Sequence, residues 1–135
     1  MGQAPQRLKR RREFLHVART GRKWAAPGLV LQVSQRRDPA DRAIAAEEIR
    51  IGFTVTRKVG GAVVRNRARR RLRAAVESVM PTHAACGRDY VVIGRGDTVR
   101  RPFSALVGDL ETALRKLGAW RDAGQDAGAK ERDDE

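Results

Sequence analysis

The sequence lacks the features that membrane insertion, disulfide cross-linking and metal binding require. No long apolar run occurs, so no segment is predicted to span a membrane, and none follows the basic N-terminus as in a secretory signal. Cys86 is the single cysteine, which excludes an intrachain disulfide and favours the reducing cytoplasm. His16 and His83 are isolated, and no cluster of acidic residues and histidines has metal-ligand spacing. The sequence therefore predicts neither a membrane protein nor a metal-dependent enzyme.

Aromatic and acidic residues are also scarce. The chain has 3 Phe, 2 Trp and 1 Tyr, too few for a broad base-stacking platform. Its 16 acidic residues oppose 29 lysines and arginines, which gives a formal net charge of +13. Most of the basic residues are arginines, whose planar guanidinium pairs bidentately with phosphate. This excess predicts a polyanionic partner, with nucleic acid as the first candidate.

The charge divides the chain into a basic body and an acidic tail. Residues 57–73 carry eight basic groups and no acid, whereas residues 122–135 carry six acids and two basic groups. The tail has almost no apolar residue beyond alanine, so we expect residues 122–135 to be disordered. Residues 1–121 have the length of one domain, and we expect them to form a single RNA-binding unit.

Hydrophobic periodicity in the body predicts a small α+β sandwich with three helices and a central sheet of about four strands. In residues 49–56, Ile51 and Phe53 alternate with Gly52, Thr54 and Thr56, so one face of this strand is polar. The polar stretch 34–48 is predicted to be a loop. The predicted order is a helix at about 10–20, strands at 29–33 and 49–56, a helix from Gly61 to about Val79, a strand at 89–94, and a helix at 102–117 whose apolar stripe includes Phe103.

The segment 57–73, RKVGGAVVRNRARRRLR, carries the clearest functional signal. Its Gly60-Gly61 pair lets the backbone approach a ligand closely, and the helix that follows offers free N–H groups to phosphate. A solvated basic helix is the alternative, but such a face normally mixes charges of both signs, and like charges this dense repel unless an anion is present. The residues therefore favour recognition of structured RNA through its phosphates and shape.

Residues 50–73, RIGFTVTRKVGGAVVRNRARRRLR, resemble the signature of the bacterial ribonuclease P protein family. That signature is a strand, a basic pair, a glycine turn and then Arg-Asn-Arg opening a basic helix. The resemblance covers about residues 7–117. It implies a small α–β sandwich with a left-handed βαβ crossover. It also implies the protein subunit of an endoribonuclease that removes the 5′ leader of precursor tRNA. The family's RNA subunit is the catalyst and holds the magnesium ions, so no metal is expected on the protein alone and no catalytic residue is assigned to it.

The resemblance also assigns site residues. Phe14 matches an aromatic residue in a cleft, between the sheet and the first helix, that grips the 5′ leader. Strand alternation adds Thr54 and Thr56 to that cleft as a prediction. The residues expected to bind the catalytic RNA are Arg57, Lys58, Arg65, Asn66, Arg67, Arg69, Arg70 and Arg73.

Aromatic residues of the family pattern are missing at two positions, and Arg57 replaces a common lysine with its charge preserved. Ala18 stands where members often carry a second aromatic residue, one helical turn after Phe14, and Gln32 stands where they often have an aromatic residue in a strand. The contacts of the leader are therefore expected to depend less on stacking in this chain.

The expected partners are the ribonuclease P catalytic RNA and precursor tRNA, in the cytoplasm, with no membrane and no small-molecule substrate. Two alternatives stay open from the sequence. One is a structural, ribosome-associated RNA-binding protein without a part in cleavage. The other is an autonomous nuclease, against which the missing carboxylate cluster counts.

Overall fold

Five strands form one mixed sheet and three α-helices pack on it in the computed structural model, which describes residues 6–35 and 48–122. The predicted α+β class is confirmed, with one strand more than expected. A short 3₁₀ turn at Gly96–Val99 precedes the last helix. The elements are β1 (Gln6–Arg7), α1 (Arg11–Thr20), β2 (Arg22–Ala25), β3 (Leu29–Gln35), β4 (Arg50–Thr54), α2 (Ala62–His83), β5 (Arg88–Gly94) and α3 (Phe103–Lys116).

The strands lie in the order β1-β4-β5-β3-β2. β4 is parallel to both β1 and β5, while β3 is antiparallel to β5 and β2. β5 occupies the centre, as its apolar sequence predicts, and its Val91 and Val92 are buried. The parallel neighbours β4 and β5 are joined through α2, which is the connection that a βαβ crossover requires. The left hand expected for this crossover stays a prediction.

The two edge strands were not predicted. β1 has 2 residues and β2 has 4, and every residue of both strands is exposed. Short, charged edge strands bury no face, so they leave no alternating apolar pattern to read.

The main core lies on one face of the sheet, which we call the core face. There α2 and α3 cover the apolar residues of the inner strands, among them Leu31, Ile51 and Tyr90. A smaller cluster lies on the opposite face, which we call the α1 face, where Val17 of α1 packs on Val91. Helices α2 and α3 therefore cover one face of the sheet, and α1 packs on the other.

Helix α2 is longer than predicted, because it continues beyond Val79 and through Pro81 to His83. A proline inside a helix removes one backbone donor and normally ends the helix. Here the guanidinium of Arg121 donates to the carbonyl oxygens of Pro81 and Ala84, both at 3.2 Å. These hydrogen bonds satisfy carbonyl groups at the end of the helix. Because α2 extends to His83, the prediction of an end at about Val79 was wrong.

Phe103 was predicted to belong to the apolar stripe of α3, and this was wrong. Its side chain is 42% exposed, whereas Leu106, Leu110 and Leu114 of the same helix are fully buried. Phe103 is the first residue of α3, following Pro102. The core-facing stripe therefore begins one turn later than the sequence pattern indicated.

Two predictions fall largely outside the described residues, namely the loop at 34–48 and the acidic tail at 122–135. Within the described part of the chain, no helix is long and apolar enough to cross a membrane.

Candidate nucleic-acid interface

A strip of the sheet on the α1 face is only partly buried. The strand registers place Thr54 of β4, Ile93 of β5 and Val30 of β3 in one row across this face, and Gln32 in the row next to it. These side chains are only partly buried. We define the cleft as the strip lined by these four residues and by Phe14 of α1.

The opposite end of the α1 face is covered, because α1 is anchored there by ionic and hydroxyl contacts. Arg50 is buried and donates from Nε to Oδ1 of buried Asp89 at 2.9 Å and from Nη2 to Oδ2 at 2.6 Å. Its Nη1 reaches Oε2 of Glu13 on α1 at 3.2 Å. At the far end of α1, the hydroxyl oxygens of Thr20 and Ser34 are 2.8 Å apart. Both ends of α1 are therefore tied to the sheet.

The Glu13 carboxylate is held in its charged form. Partial burial raises its pKa, but the backbone N–H groups of Arg10 and Lys9 and the guanidinium of Arg50 outweigh burial and lower the pKa below its ordinary value of 4.5. Oε1 of Glu13 accepts from these N–H groups at 3.0 and 2.9 Å. The charged Glu13 carboxylate therefore stabilises the fold fully at pH values above its ordinary pKa of 4.5. This stabilisation is lost as the pH falls through the lowered pKa of Glu13 in the folded protein.

The Phe14 ring lies directly over Gly52. A Cβ atom built on Gly52 would lie 2.3 Å from Cε2 and 2.4 Å from Cζ of Phe14, so only glycine leaves room for the ring. Phe14 is partly buried, and it packs against the small cluster of Leu8, Val17 and Val91. The structure thus places Phe14 at the border between α1 and the cleft, and its contact with a 5′ leader stays a prediction.

Of the two predicted threonines, only Thr54 belongs to the strand. β4 ends at Thr54, and the exposed Thr56 lies in the following turn, where its carbonyl oxygen accepts from the N–H of Val59 at 3.0 Å. The placement of Thr56 on the polar face of a strand extending to residue 56 was therefore wrong, because the chain begins to turn before it. A role for Thr56 in the cleft stays a prediction.

The glycine turn leads from β4 into α2 and carries Arg57 and Lys58, both exposed. Gly60 has φ of +153°, and a Cβ atom there would lie 2.9 Å from the Val64 side chain. The N-cap residue Gly61 makes no side-chain cap, and the first turn of α2 has no acid. The start of α2 is therefore a positively polarised end without a carboxylate from its own first turn.

The predicted RNA-binding residues of α2 fall into two groups. Asn66, Arg67 and Arg70 are exposed. Arg65 and Arg69 are partly buried, and Nε of Arg65 donates to the Gly60 carbonyl at 3.2 Å. Within residues 6–35 and 48–122, none of these arginines forms an ion pair. We call this set, together with Arg57 and Lys58, the α2 surface.

Arg73 is placed differently from the other predicted residues. It is partly buried, and its guanidinium lies 5.9 Å from the ring centre of Phe53 on the core face. The guanidinium of Arg7 lies 5.7 Å from the same ring centre. The Nε of Arg73 is buried and has no hydrogen-bond partner among the described residues. Arg73 thus packs on the sheet as well as lying on the basic helix, and its contact with RNA stays a prediction.

Several important residues were missed by the sequence analysis. For Arg50 and Asp89 the sequence carried a weak signal of their position. Each lies two residues before a residue of the α1 face, Gly52 and Val91 respectively, so strand alternation places both on that face. Arg71 was counted as one basic charge among many, yet its Nε donates to the Thr98 carbonyl at 2.9 Å and its Nη2 donates to the Arg101 carbonyl. Arg71 therefore fastens α2 to the segment before α3. The described residues contain no group of His, Cys, Asp and Glu side chains that could hold a metal ion.

Comparison with known proteins identifies relatives of this arrangement. The family model described as Ribonuclease P matches residues 3–118. The ribonuclease P protein component of Paramagnetospirillum magneticum is 56% identical over 114 residues, covering 84% of this chain and 83% of the relative. That of Gluconacetobacter diazotrophicus is 54% identical over 118 residues, covering 87% and 96%.

Solved structures have the same fold. The RNase P protein of Staphylococcus aureus aligns with a TM-score of 0.69 at 22% identity, covering 87% of this chain and 100% of that one. The RNase P protein from Thermotoga maritima aligns with a TM-score of 0.63 at 26% identity, covering 83% and 94%.

The contact between Gly52 and Phe14 yields a prediction. Gly52→Ala should displace the Phe14 ring and lower the free energy of unfolding by about 1–3 kcal/mol, the usual cost of overpacking. Urea unfolding followed by circular dichroism measures this. Gly108→Ala is the matched control, because a Cβ atom there meets nothing within 4 Å and alanine favours a helix. Equal stability of the two variants would contradict the packing of Phe14 over Gly52.

Proposed function

The chain belongs to the ribonuclease P protein family and is a protein subunit of ribonuclease P; we propose that its α2 surface binds the catalytic RNA and that its cleft holds the 5′ leader of precursor tRNA. The comparisons support neither a ribosome-associated protein nor an autonomous nuclease. The observation that carries the proposal is the α2 surface, a set of arginines beside a glycine turn with no ion pair among the described residues.

The charge of the α2 surface is suited to folded RNA. Arginines at 65 and 69 repeat every helical turn, and Asn66, Arg67 and Arg70 project from the exposed side of the same helix. Guanidinium groups without carboxylate partners are stabilised by phosphates, which also release counterions on binding. Arg57 and Lys58 extend this surface to the end of β4, so the whole set can follow one stretch of RNA backbone.

The cleft is suited to a single strand of RNA. Its row of Thr54, Ile93 and Val30 combines one hydroxyl with apolar side chains, and Gln32 adds an amide that can donate or accept. Phe14 is only partly buried, so part of its ring is accessible to a base. Lys23 is paired with Gln32 in the strand register, so it lies on the same side of the sheet and can meet a phosphate. One aromatic ring with few polar groups favours a leader held with little sequence preference.

The hydrolytic step is assigned in this proposal to the RNA subunit, which would also hold the magnesium ions. The protein's own buried carboxylates are engaged in holding the fold. Asp89 is paired with Arg50, and Asp109 accepts from Arg101 through both oxygens at 2.9 Å. The protein would therefore act by binding and positioning, in the cytoplasm where precursor tRNA is processed.

Reconstitution tests the proposal. The full chain should raise the rate of precursor tRNA cleavage by a bacterial ribonuclease P RNA at low magnesium concentration, measured by release of the 5′ leader. RNA alone and protein alone are the controls. No gain over RNA alone would overturn the proposal, and cleavage by the protein alone would move the chemistry onto the protein.

Loss of two arginines from the α2 surface should weaken assembly of the enzyme. The plot of log K for RNA binding against log salt has a negative slope, to which each phosphate contact contributes about 0.7–0.9. Arg65→Ala with Arg67→Ala should therefore make this slope shallower by about 1.4–1.8. Binding to the RNA subunit is measured by filter retention from low to moderate salt. Arg19→Ala with Arg22→Ala removes the same charge at exposed positions of α1 and β2 and should change the slope less. Circular dichroism should report an unchanged fold in both variants.

Phe14→Ala should affect precursor tRNA more than mature tRNA, because only the precursor carries the leader. The loss expected for one stacked base is about 5- to 100-fold in the Kd of the precursor. Leu15→Ala, at a neighbouring exposed position of α1, should bind both tRNAs like the unmodified protein. Equal losses for precursor and mature tRNA would instead give Phe14 a purely structural role.

A further inference from the structure

We propose that Phe103, Arg67 and Arg70 form a binding site for one unpaired nucleotide of the RNA subunit, with its base stacked on the Phe103 ring and its phosphate held by the arginines. The inference rests on the proposed function, because it assumes that RNA lies against α2. It adds α3 to the RNA-binding surface, which neither the sequence nor the α2 surface indicated.

The first observation is the exposure of Phe103. Its ring is 42% exposed although its helix buries three leucines completely, so the ring is not needed to close the core. A large apolar side chain in water gains free energy when a flat partner covers it. Phe103 therefore presents a ring that a nucleobase can cover.

The second observation is the cavity beside the ring. Phe103 shares a shallow cavity of about 350 Å³ with Arg67, Arg70 and Arg71 of α2, and Ala74 and Val99 complete its lining. This volume is in the range of small-molecule sites. Apolar side chains and guanidinium groups thus line the same space, which is the combination that a nucleotide requires.

The third observation concerns the charges. Arg71 is held by the carbonyl oxygens of Thr98 and Arg101, so it fixes the position of α3 against α2. Arg67 and Arg70 are exposed, and within the described part of the chain neither forms an ion pair or a hydrogen bond. No carboxylate lines the cavity. The site therefore selects an anion, and the ring beside it selects an anion that carries a flat group.

An unpaired nucleotide fits these features better than a helical one. Bases inside an A-form helix are stacked on both sides and cannot stack on a side chain, whereas bases in loops and bulges can be turned out and stacked on an aromatic ring. Phe103 is a single exposed ring at this cavity, which sets the number of bases at one.

The test compares variants of the full chain that change the ring but not the charge. Phe103→Ala and Phe103→Leu should weaken binding to a bacterial ribonuclease P RNA by about 5- to 100-fold, as expected for one stacked base. Phe103→Tyr should keep the affinity. Leu15→Ala is the matched control, because Leu15 is also 42% exposed but lies on α1. Thermal unfolding should be similar for all variants.

The salt dependence separates stacking from charge. Phe103→Leu removes no phosphate contact, so its plot of log K for RNA binding against log salt should be parallel to that of the unmodified protein. Arg70→Ala removes one phosphate contact and should make the negative slope shallower by about 0.7–0.9. Unchanged affinity in Phe103→Leu, with normal binding by the unmodified protein, would overturn this site alone. Failure of the unmodified protein to bind the RNA would instead overturn the proposed function. If Phe103→Leu kept its affinity for the RNA but lost binding of an acidic peptide, the site would belong to a protein partner, and the proposal of a nucleotide site would be overturned.

Discussion

The buried ion pair between Arg50 and Asp89 is the contact on which both surfaces of the molecule depend. It joins β4 to β5 at the centre of the sheet, and its third hydrogen bond, to Glu13, fixes the first turn of α1. A buried ion pair stabilises a protein only when its polar atoms are satisfied, and removing one partner leaves an uncompensated charge. The position of α1 against the sheet is therefore set by this pair as well as by apolar packing, which on this face of the described structure is a small cluster.

Contacts between carboxylates and distant elements also explain how charge is distributed over the molecule. Acidic residues are few, and Glu13, Asp89 and Asp109 are used to hold separate elements together; Asp109 also accepts from the Gly28 N–H at 2.9 Å. Because these carboxylates are engaged between elements, they do not neutralise the arginines of α2. Like charges on one helix repel, so the α2 surface costs stability in the free protein and gains it when phosphates are bound. The excess of arginine is thus divided between buried anchors and a surface without ion pairs.

The inner elements were predictable from the sequence because each has its own pattern. β4 alternates with a period of two, α2 has a buried stripe through Leu72, and β5 carries the apolar run Tyr90-Val91-Val92-Ile93. The remaining features depend on contacts between distant residues. The carbonyl groups at the end of α2 accept from Arg121, and the segment before α3 is held to α2 by Arg71. Local sequence contains none of these contacts, and the same limit explains why the packing of Arg73 on the Phe53 ring was not predicted.

The two proposed RNA-binding surfaces lie on different faces of one sheet, and β4 contributes to both. Gly52 and Thr54 face the cleft, while Phe53 faces α2 and contacts the Arg73 guanidinium. The turn that carries Arg57 and Lys58 begins two residues after the strand ends. A leader in the cleft and an RNA on the α2 surface would therefore be held at a separation set by one short strand and its turn. Such rigid spacing converts two binding events into the positioning of a reacting bond, which lowers the entropic part of a barrier without any catalytic side chain. Under the proposed function, the protein would in this way assist hydrolysis without supplying a catalytic side chain of its own.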